Sequence, residues 1–396
     1  NRVPPLRTDL LAVFLSFGVL MFSLAALGPV LEEVRQEFNI SFTGIGVLVA
    51  GQGMARGGFM LIFGPLADRI SSRRLLPVGL AFVGIGALIS AAAPNVWVLV
   101  WGVVAGGAGF GFVAPSGQVH VALRTPKQNR RRNLGRLISG GMLGAFIAPV
   151  AAGATANAFG WRASFILVGL VAIAAAVLVA STRTLSSDTP TSSSPSRLHR
   201  PSLGIGRGVM EIVVLAILMW GWANATRGIV LPLYGSVALG FTPGDVGLLL
   251  TLTLGVRAVL TFLSGPIANR IGLAGTLLIA TLGGAIGTLL LFAPATLGIY
   301  VVLGATFALS GLGSPIVLML LTERAPAQHL GRAVGQTQFL VDLVGLAMPP
   351  LIGLLLDTYD FGVVGALLSG IYLAAAAWGI RILRRGAPDP DSTPER

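Results

Sequence analysis

Gly64-Pro65-Leu66-Ala67-Asp68-Arg69-Ile70 recurs 201 residues later as Gly265-Pro266-Ile267-Ala268-Asn269-Arg270-Ile271. At the same offset Ser41 meets Thr242, Gly46 meets Gly247 and Arg56 meets Arg257. Pro115, Arg124 and Pro126 return at an offset of 200 as Pro315, Arg324 and Pro326, and Leu134-Gly135-Arg136 returns as Leu330-Gly331-Arg332. Matches sustained at offsets of 196 to 201 over so much of the chain mean two copies of one structural unit.

Composition says what kind of unit. The 396 residues are 54% hydrophobic and 11% charged, with a mean hydropathy of +0.84, whereas soluble domains carry roughly 25% charged residues. The apolar segments fall at about 10–30, 43–66, 75–93, 96–123, 134–158, 162–181, 209–236, 244–267, 273–293, 298–321, 331–356 and 361–383. Each is long enough to cross about 30 Å of hydrocarbon as a helix. Their apolar character is continuous rather than alternating, which excludes a transmembrane β-barrel. The chain is therefore read as an all-α membrane protein of twelve transmembrane helices in two pseudo-symmetric six-helix bundles, 1–181 and 209–385. Between them, 182–208 contains Ser186, Ser187, Asp188, Pro190, Ser192, Ser193, Ser194, Pro195 and Ser196, a composition that cannot bury enough surface to fold, so it is a flexible linker. Residues 386–396 form a disordered tail, and Arg2 to Asp9 a short leader.

The basic residues orient the spans. Of the 27 Lys and Arg, 22 lie at the two ends or in even-numbered connections, whereas the odd-numbered connections hold Arg35 and Arg162. Positive charge accumulates on the cytoplasmic side of short loops, so both termini and the linker are expected in the cytoplasm and the protein in the cell (inner or plasma) membrane. The formal charge of +12 belongs to these loops and marks no nucleic-acid face. With no cysteine, disulfide and thiol chemistry are excluded.

Gly64-Pro65-Leu66-Ala67-Asp68-Arg69-Ile70-Ser71-Ser72-Arg73-Arg74, placed between spans 2 and 3, resembles the loop signature of the major facilitator superfamily. Span 5, with Gly135, Gly144, Ala148, Pro149, Ala152 and Gly153, is similar to that family's glycine-rich antiporter motif, with alanine at two glycine positions. Span 4 departs from many proton-coupled drug exporters of the family: Val100 to Gly107 contains no arginine. The resemblance implies a secondary transporter working by alternating access. It also implies that Gly64, Asp68, Arg69 and Arg73 form a cytoplasmic gate latch.

Arg56, Arg227 and Arg257 fall away from the cytoplasmic ends of their spans, and an arginine in hydrocarbon costs at least several kcal/mol unless paired or hydrated. Arg56 lies 15 residues beyond Ser41, about 22 Å at 1.5 Å per residue, close to the midplane. Arg257 matches it in span 8, with Thr253 and Thr261 one turn to either side, and Gln52 lies one turn from Arg56. Two guanidinium groups at one depth can each donate a forked pair of hydrogen bonds to an anion. Arg227, near Trp220, Trp222, Asn224 and Tyr234 in span 7, is either a further anion contact or an interfacial arginine among aromatics. Asp342 in span 11 is the acid placed at the midplane, as a proton-coupling group or as a fixed counter-ion.

His120, His199 and His329 have no metal-ligand spacing, no phosphate-binding Gly-Lys-Ser/Thr loop occurs, and no catalytic triad or carboxylate pair is found. The chain is read as a carrier, not an enzyme, with no cofactor and no metal, acting as a monomer in the bilayer on a small-molecule anion. That anion, organic or inorganic, is expected between Arg56 and Arg257, coupled to protons or to a counter-anion. The alternative is a proton-coupled exporter of multidrug or amphipathic compounds.

Overall fold

The computed structural model describes residues 8–67, 70–125, 127–182, 207–324 and 330–386. The linker reading for 183–206 and the tail reading for 387–396 lie outside the described residues, as do Asp68 and Arg69. Every regular element described is helical. Among the described residues, ten helices are long and apolar enough to cross a membrane. One of them, Pro243–Phe292, is two spans, because Gly272 breaks it at φ 79°, a left-handed conformation that costs glycine nothing. Phe42–Ala67, 26 residues long, supplies a further span, and the total is the twelve read from the sequence. Large apolar side chains face outward, among them Ile62, Leu143, Val177 and Phe262 at 65%, 62%, 65% and 84% exposure. Such a surface suits lipid rather than water.

The helices pack as two compact units. The first joins spans 1 to 6 to Gly228–Leu252 and Pro349–Leu354. Its core is built from Val13, Phe17, Leu20, Leu76, Leu80, Val113 and Val179. Helices cross closely where glycine leaves room: Gly109 of Val96–Arg124 meets Gly79 of Ser72–Ala91, and Gly102 meets Gly86. Small residues do this work in membranes, where apolar side chains gain little by leaving lipid for protein. At the face bearing the odd-numbered loops, both arginines are matched by acids. Arg35 makes a forked pair of hydrogen bonds to Glu32 at 2.8 and 2.7 Å. Arg162 pairs with Glu37 and also donates to the Ala93 carbonyl at 2.9 Å.

Near that face the first unit has two backbone crossings that repeat each other. A Cβ added to Gly46 would strike the Pro349 carbonyl, and one added to Gly247 would strike the Pro149 carbonyl. The partners correspond by the internal repeat, Gly46 to Gly247 and Pro149 to Pro349. One crossing has an addition. The Thr251 hydroxyl accepts from the Val150 N–H and donates to the Phe146 carbonyl, both at 3.1 Å. In an undisturbed helix those two groups bond each other, but here Pro149 crowds the turn. We predict that Thr251→Val, which keeps the shape and removes the hydroxyl, costs about 1–3 kcal/mol for the exposed polar groups. The unfolding midpoint of the purified protein should fall by about 2–4 °C per kcal/mol; an unchanged midpoint would show that the hydroxyl is dispensable.

The second unit joins span 7 up to Arg227 to Thr253–Met348 and the chain from Leu355 onward. Ile212, Ala216, Leu277, Leu312, Ile316 and Ala375 form its core, and the Trp378 indole donates to the Glu211 carbonyl at 2.9 Å. Span 7 departs from a plain α-helix in three π-helical stretches, Ile217–Gly221, Thr226–Val230 and Tyr234–Ala238, a form that recurs at functional sites.

Candidate functional site

Arg56 sits half-buried on Phe42–Ala67, with its guanidinium carbon 5.3 Å from the centre of the Phe110 ring on Val96–Arg124. Gly107 allows that approach, because a Cβ there would press on Ala55 and lie 3.2 Å from the Arg56 nitrogen. The second unit repeats the arrangement. Arg257 is half-buried and stands 5.3 Å from the Phe307 ring of Leu297–Leu309. Gly311 is the spacer, since a Cβ there would fall 2.8 Å from the Arg257 carbonyl oxygen. Tyr372 lies within electrostatic reach of Arg257, with Thr226 beside its phenol. A cation–π contact returns about 0.5–2 kcal/mol. Placing an arginine at the centre of a span costs roughly 2.5–3.5 kcal/mol, so the ring steadies the charge without accounting for it.

The remaining sequence candidates divide. Gln52 lies one turn from Arg56 and lines a cavity with Phe110. Thr253 is buried, its hydroxyl facing Gly304. Thr261 lies 2.8 Å from the Arg257 carbonyl and 3.1 Å from the Gly311 carbonyl, donating between them. Ser264 in turn donates to the Thr261 carbonyl at 2.8 Å. These hydroxyls thus serve the backbone of spans 8 and 10. Asn224 is exposed, and Arg227 is half-buried in the second π-helical stretch of span 7. Asp342 is half-buried on Leu330–Thr358. Of the gate set, Gly64 belongs to Phe42–Ala67, Arg73 is exposed in the first turn of Ser72–Ala91, and Asp68 and Arg69 lie outside the described residues. Among the described residues, no three His, Cys, Asp or Glu are grouped as metal ligands.

The cavity belongs to the first unit. It measures about 40 Å³ and is walled by Leu24, Gln52, Gly106, Phe110, Phe165 and Val168 with neighbours from spans 1, 2, 3, 4 and 6. Span 4 carries five glycines between Gly102 and Gly111. Gly102, Gly107, Gly109 and Gly111 face close neighbours; a Cβ on Gly106 would meet nothing within 4 Å, but its backbone lies where Gly86 crosses, since a Cβ on Gly86 would fall 2.5 Å from the Gly106 nitrogen. Sequence reasoning missed Phe110, Phe307 and Tyr372. The available signal was positional: Phe307 stands between Gly304 and Gly311, on the face of span 10 that glycine brings against span 8.

The model of the Major Facilitator Superfamily matches residues 13–345 and 213–396. Multidrug resistance protein 2 of Bacillus subtilis (strain 168) is 24% identical over 282 residues, 67% of this chain and 66% of that protein. The cyanate transport protein of Escherichia coli (strain K12) is 32% identical over 133 residues, 32% of this chain and 34% of that protein. The matches therefore span two thirds or less of these relatives' lengths. Among solved structures, a bacterial homolog of the human lysosomal transporter Spinster, inward-facing and occupied, superimposes with a TM-score of 0.77 at 16% identity, covering 97% of this chain and 98% of that one. The peptide transporter POT in complex with sulfate gives 0.75 at 17% identity, covering 97% and 96%. Twelve apolar spans, a duplicated half and a family match running nearly end to end agree, and the chain belongs to the Major Facilitator Superfamily, whose members are secondary transporters.

Proposed function

We propose that this transporter carries a small anion by alternating access, recognised by Arg56 from the first half of the chain and Arg257 from the second. One observation carries the reading: both arginines occupy matched positions of the repeat and each is steadied at 5.3 Å by a phenylalanine of its own half. A guanidinium is a planar cation whose N–H geometry matches carboxylate-like oxygens. Gln52 is a further contact, Arg227 and Asn224 belong to the entry route, and Asp342 couples transport to protons. Gly64, Asp68, Arg69 and Arg73 gate the even-numbered face, which is cytoplasmic. The membrane is the cell membrane, and the coupling ion is the proton or a counter-anion.

The likeness to a multidrug resistance protein favours a second reading, export of amphipathic compounds. The buried arginines discriminate, since they oppose a lipophilic cation and favour an anion. Counterflow in liposomes containing the purified protein tests this, using nitrate, cyanate, acetate and a lipophilic cation as probes. Exchange of one or more anions is expected. Exchange of the cation alone would reject the anion reading.

A further inference from the structure

The acids of the short helix Leu31–Glu37, between spans 1 and 2, meet different surroundings. Glu32 is held by the Arg35 fork described above and by the Gln36 amide at 2.8 Å. Glu37 accepts from the Trp161 indole N–H and from the Arg162 guanidinium, both at the start of span 6. Glu33 has one carboxyl oxygen, Oε2, buried and without a hydrogen-bond partner. The groups that act on it are the main-chain N–H of Trp161 and the Glu37 carboxylate. Trp161 opens the helix Trp161–Ser181 behind Gly160, which has no side chain to cap it, so Glu33 supplies an acceptor that a helix start needs. Of the neighbouring cations, Arg35 stands 4.5 Å over the Phe42 ring, and Arg162 is held by Glu37 and the Ala93 carbonyl. The elements packed against the short helix are Gly28–Val30, Leu231–Leu233 of span 7 and the start of Phe42–Ala67, and these contribute no acid or base at the contact.

Two influences favour a proton on Glu33. An oxygen withdrawn from water and given no donor disfavours the charged form, and Glu37 adds a like charge. The Trp161 N–H pulls the other way, but a protonated carboxyl keeps a carbonyl oxygen to accept it. Protonation thus removes a buried charge without giving up the contact to span 6. We infer that Leu31–Glu37 is a proton-fastened clasp, seated on the start of span 6 when Glu33 holds a proton and loosened when Glu33 ionises. Its effect reaches inward through aromatic contacts. Trp161 stands edge-on to Phe38 at 5.8 Å and to Phe165 at 5.7 Å, and Phe165 walls the first-unit cavity. Acid on the side of the odd-numbered loops therefore firms one wall of that cavity. The clasp involves neither Arg56 nor Arg257 and stands or falls apart from the anion reading.

Amide hydrogen exchange of the purified full-length protein in lipid nanodiscs reads the clasp where it lies. Protection of Leu31–Phe38, corrected for the intrinsic exchange rate at each pH, is followed from about pH 5 to about pH 8. A seated form that binds the proton more tightly than the open form is stable in acid and loses that stability as pH rises through the Glu33 titration. Protection should therefore fall about tenfold, the change that accompanies each pH unit of difference in proton affinity between the two forms. Glu33→Gln, which mimics the protonated carboxyl, should hold protection near the acid wild-type level throughout. Glu32→Gln, which alters an acid already bound to Arg35, should leave the fall in place. Wild-type protection that stays constant or rises with pH overturns the clasp, and this arm needs no variant to fold. A fall as large in Glu33→Gln as in wild type overturns it too, since the titrating group would lie elsewhere. Loss of the fall in Glu32→Gln would likewise remove the role from Glu33.

Discussion

Replacing Arg56 or Arg257 with glutamine is expected to abolish anion binding, weakening it by about 100-fold or more. Removing one partner of a buried charge pair costs about 3–5 kcal/mol, and each factor of ten corresponds to about 1.4 kcal/mol. The bound anion would face one guanidinium where it had two. Lysine at either position should recover part of the loss, remaining about tenfold weaker than wild type. It restores the charge but replaces a planar fork by a point donor, and it stacks less well on Phe110 or Phe307, whose rings sit 5.3 Å from the guanidinium carbons. Binding isotherms of glutamine and lysine variants, each verified as monodisperse, check both statements. Wild-type affinity in both glutamine variants would remove the arginines from the site.

The second large effect concerns Asp342, half-buried on Leu330–Thr358. Asp342→Asn should eliminate accumulation of the anion driven by an imposed pH gradient while preserving counterflow of labelled for unlabelled substrate. The asparagine mimics the protonated carboxyl, so the carrier can still exchange one anion for another but cannot harvest the gradient. Liposomes with an acidic exterior separate the outcomes. Full proton-driven accumulation in the variant would release Asp342 from this role. A wild-type protein indifferent to the gradient would point to counter-anion exchange.

The duplication was legible because backbone-critical residues mark it. Gly46 and Gly247 stand at matched crossings against the Pro349 and Pro149 carbonyls, and neither glycine accepts a side chain without parting two helices. The arginines were legible because hydrocarbon makes each charge conspicuous. In span 8, Thr261 and Ser264 turn inward to carbonyls one turn or less away, as serine and threonine readily do in the absence of water. Thr251, by contrast, serves the backbone of span 5. Nothing in a linear pattern separates those fates.

The paired crossings at Gly46 with Pro349 and Gly247 with Pro149 also bear on electrical insulation. A membrane holding 100 mV stores roughly 2.3 kcal/mol for every elementary charge that crosses it, and a carrier through which water could file would short-circuit that store. Where backbone lies directly on backbone, there is no side chain to swing aside and admit a water wire. Glycine facing a proline carbonyl therefore makes a gasket as well as a contact, one whose tightness depends on neither rotamer nor charge. A single added methyl at Gly247 would wedge this gasket open, and its signature would be a proton leak that appears without any substrate present.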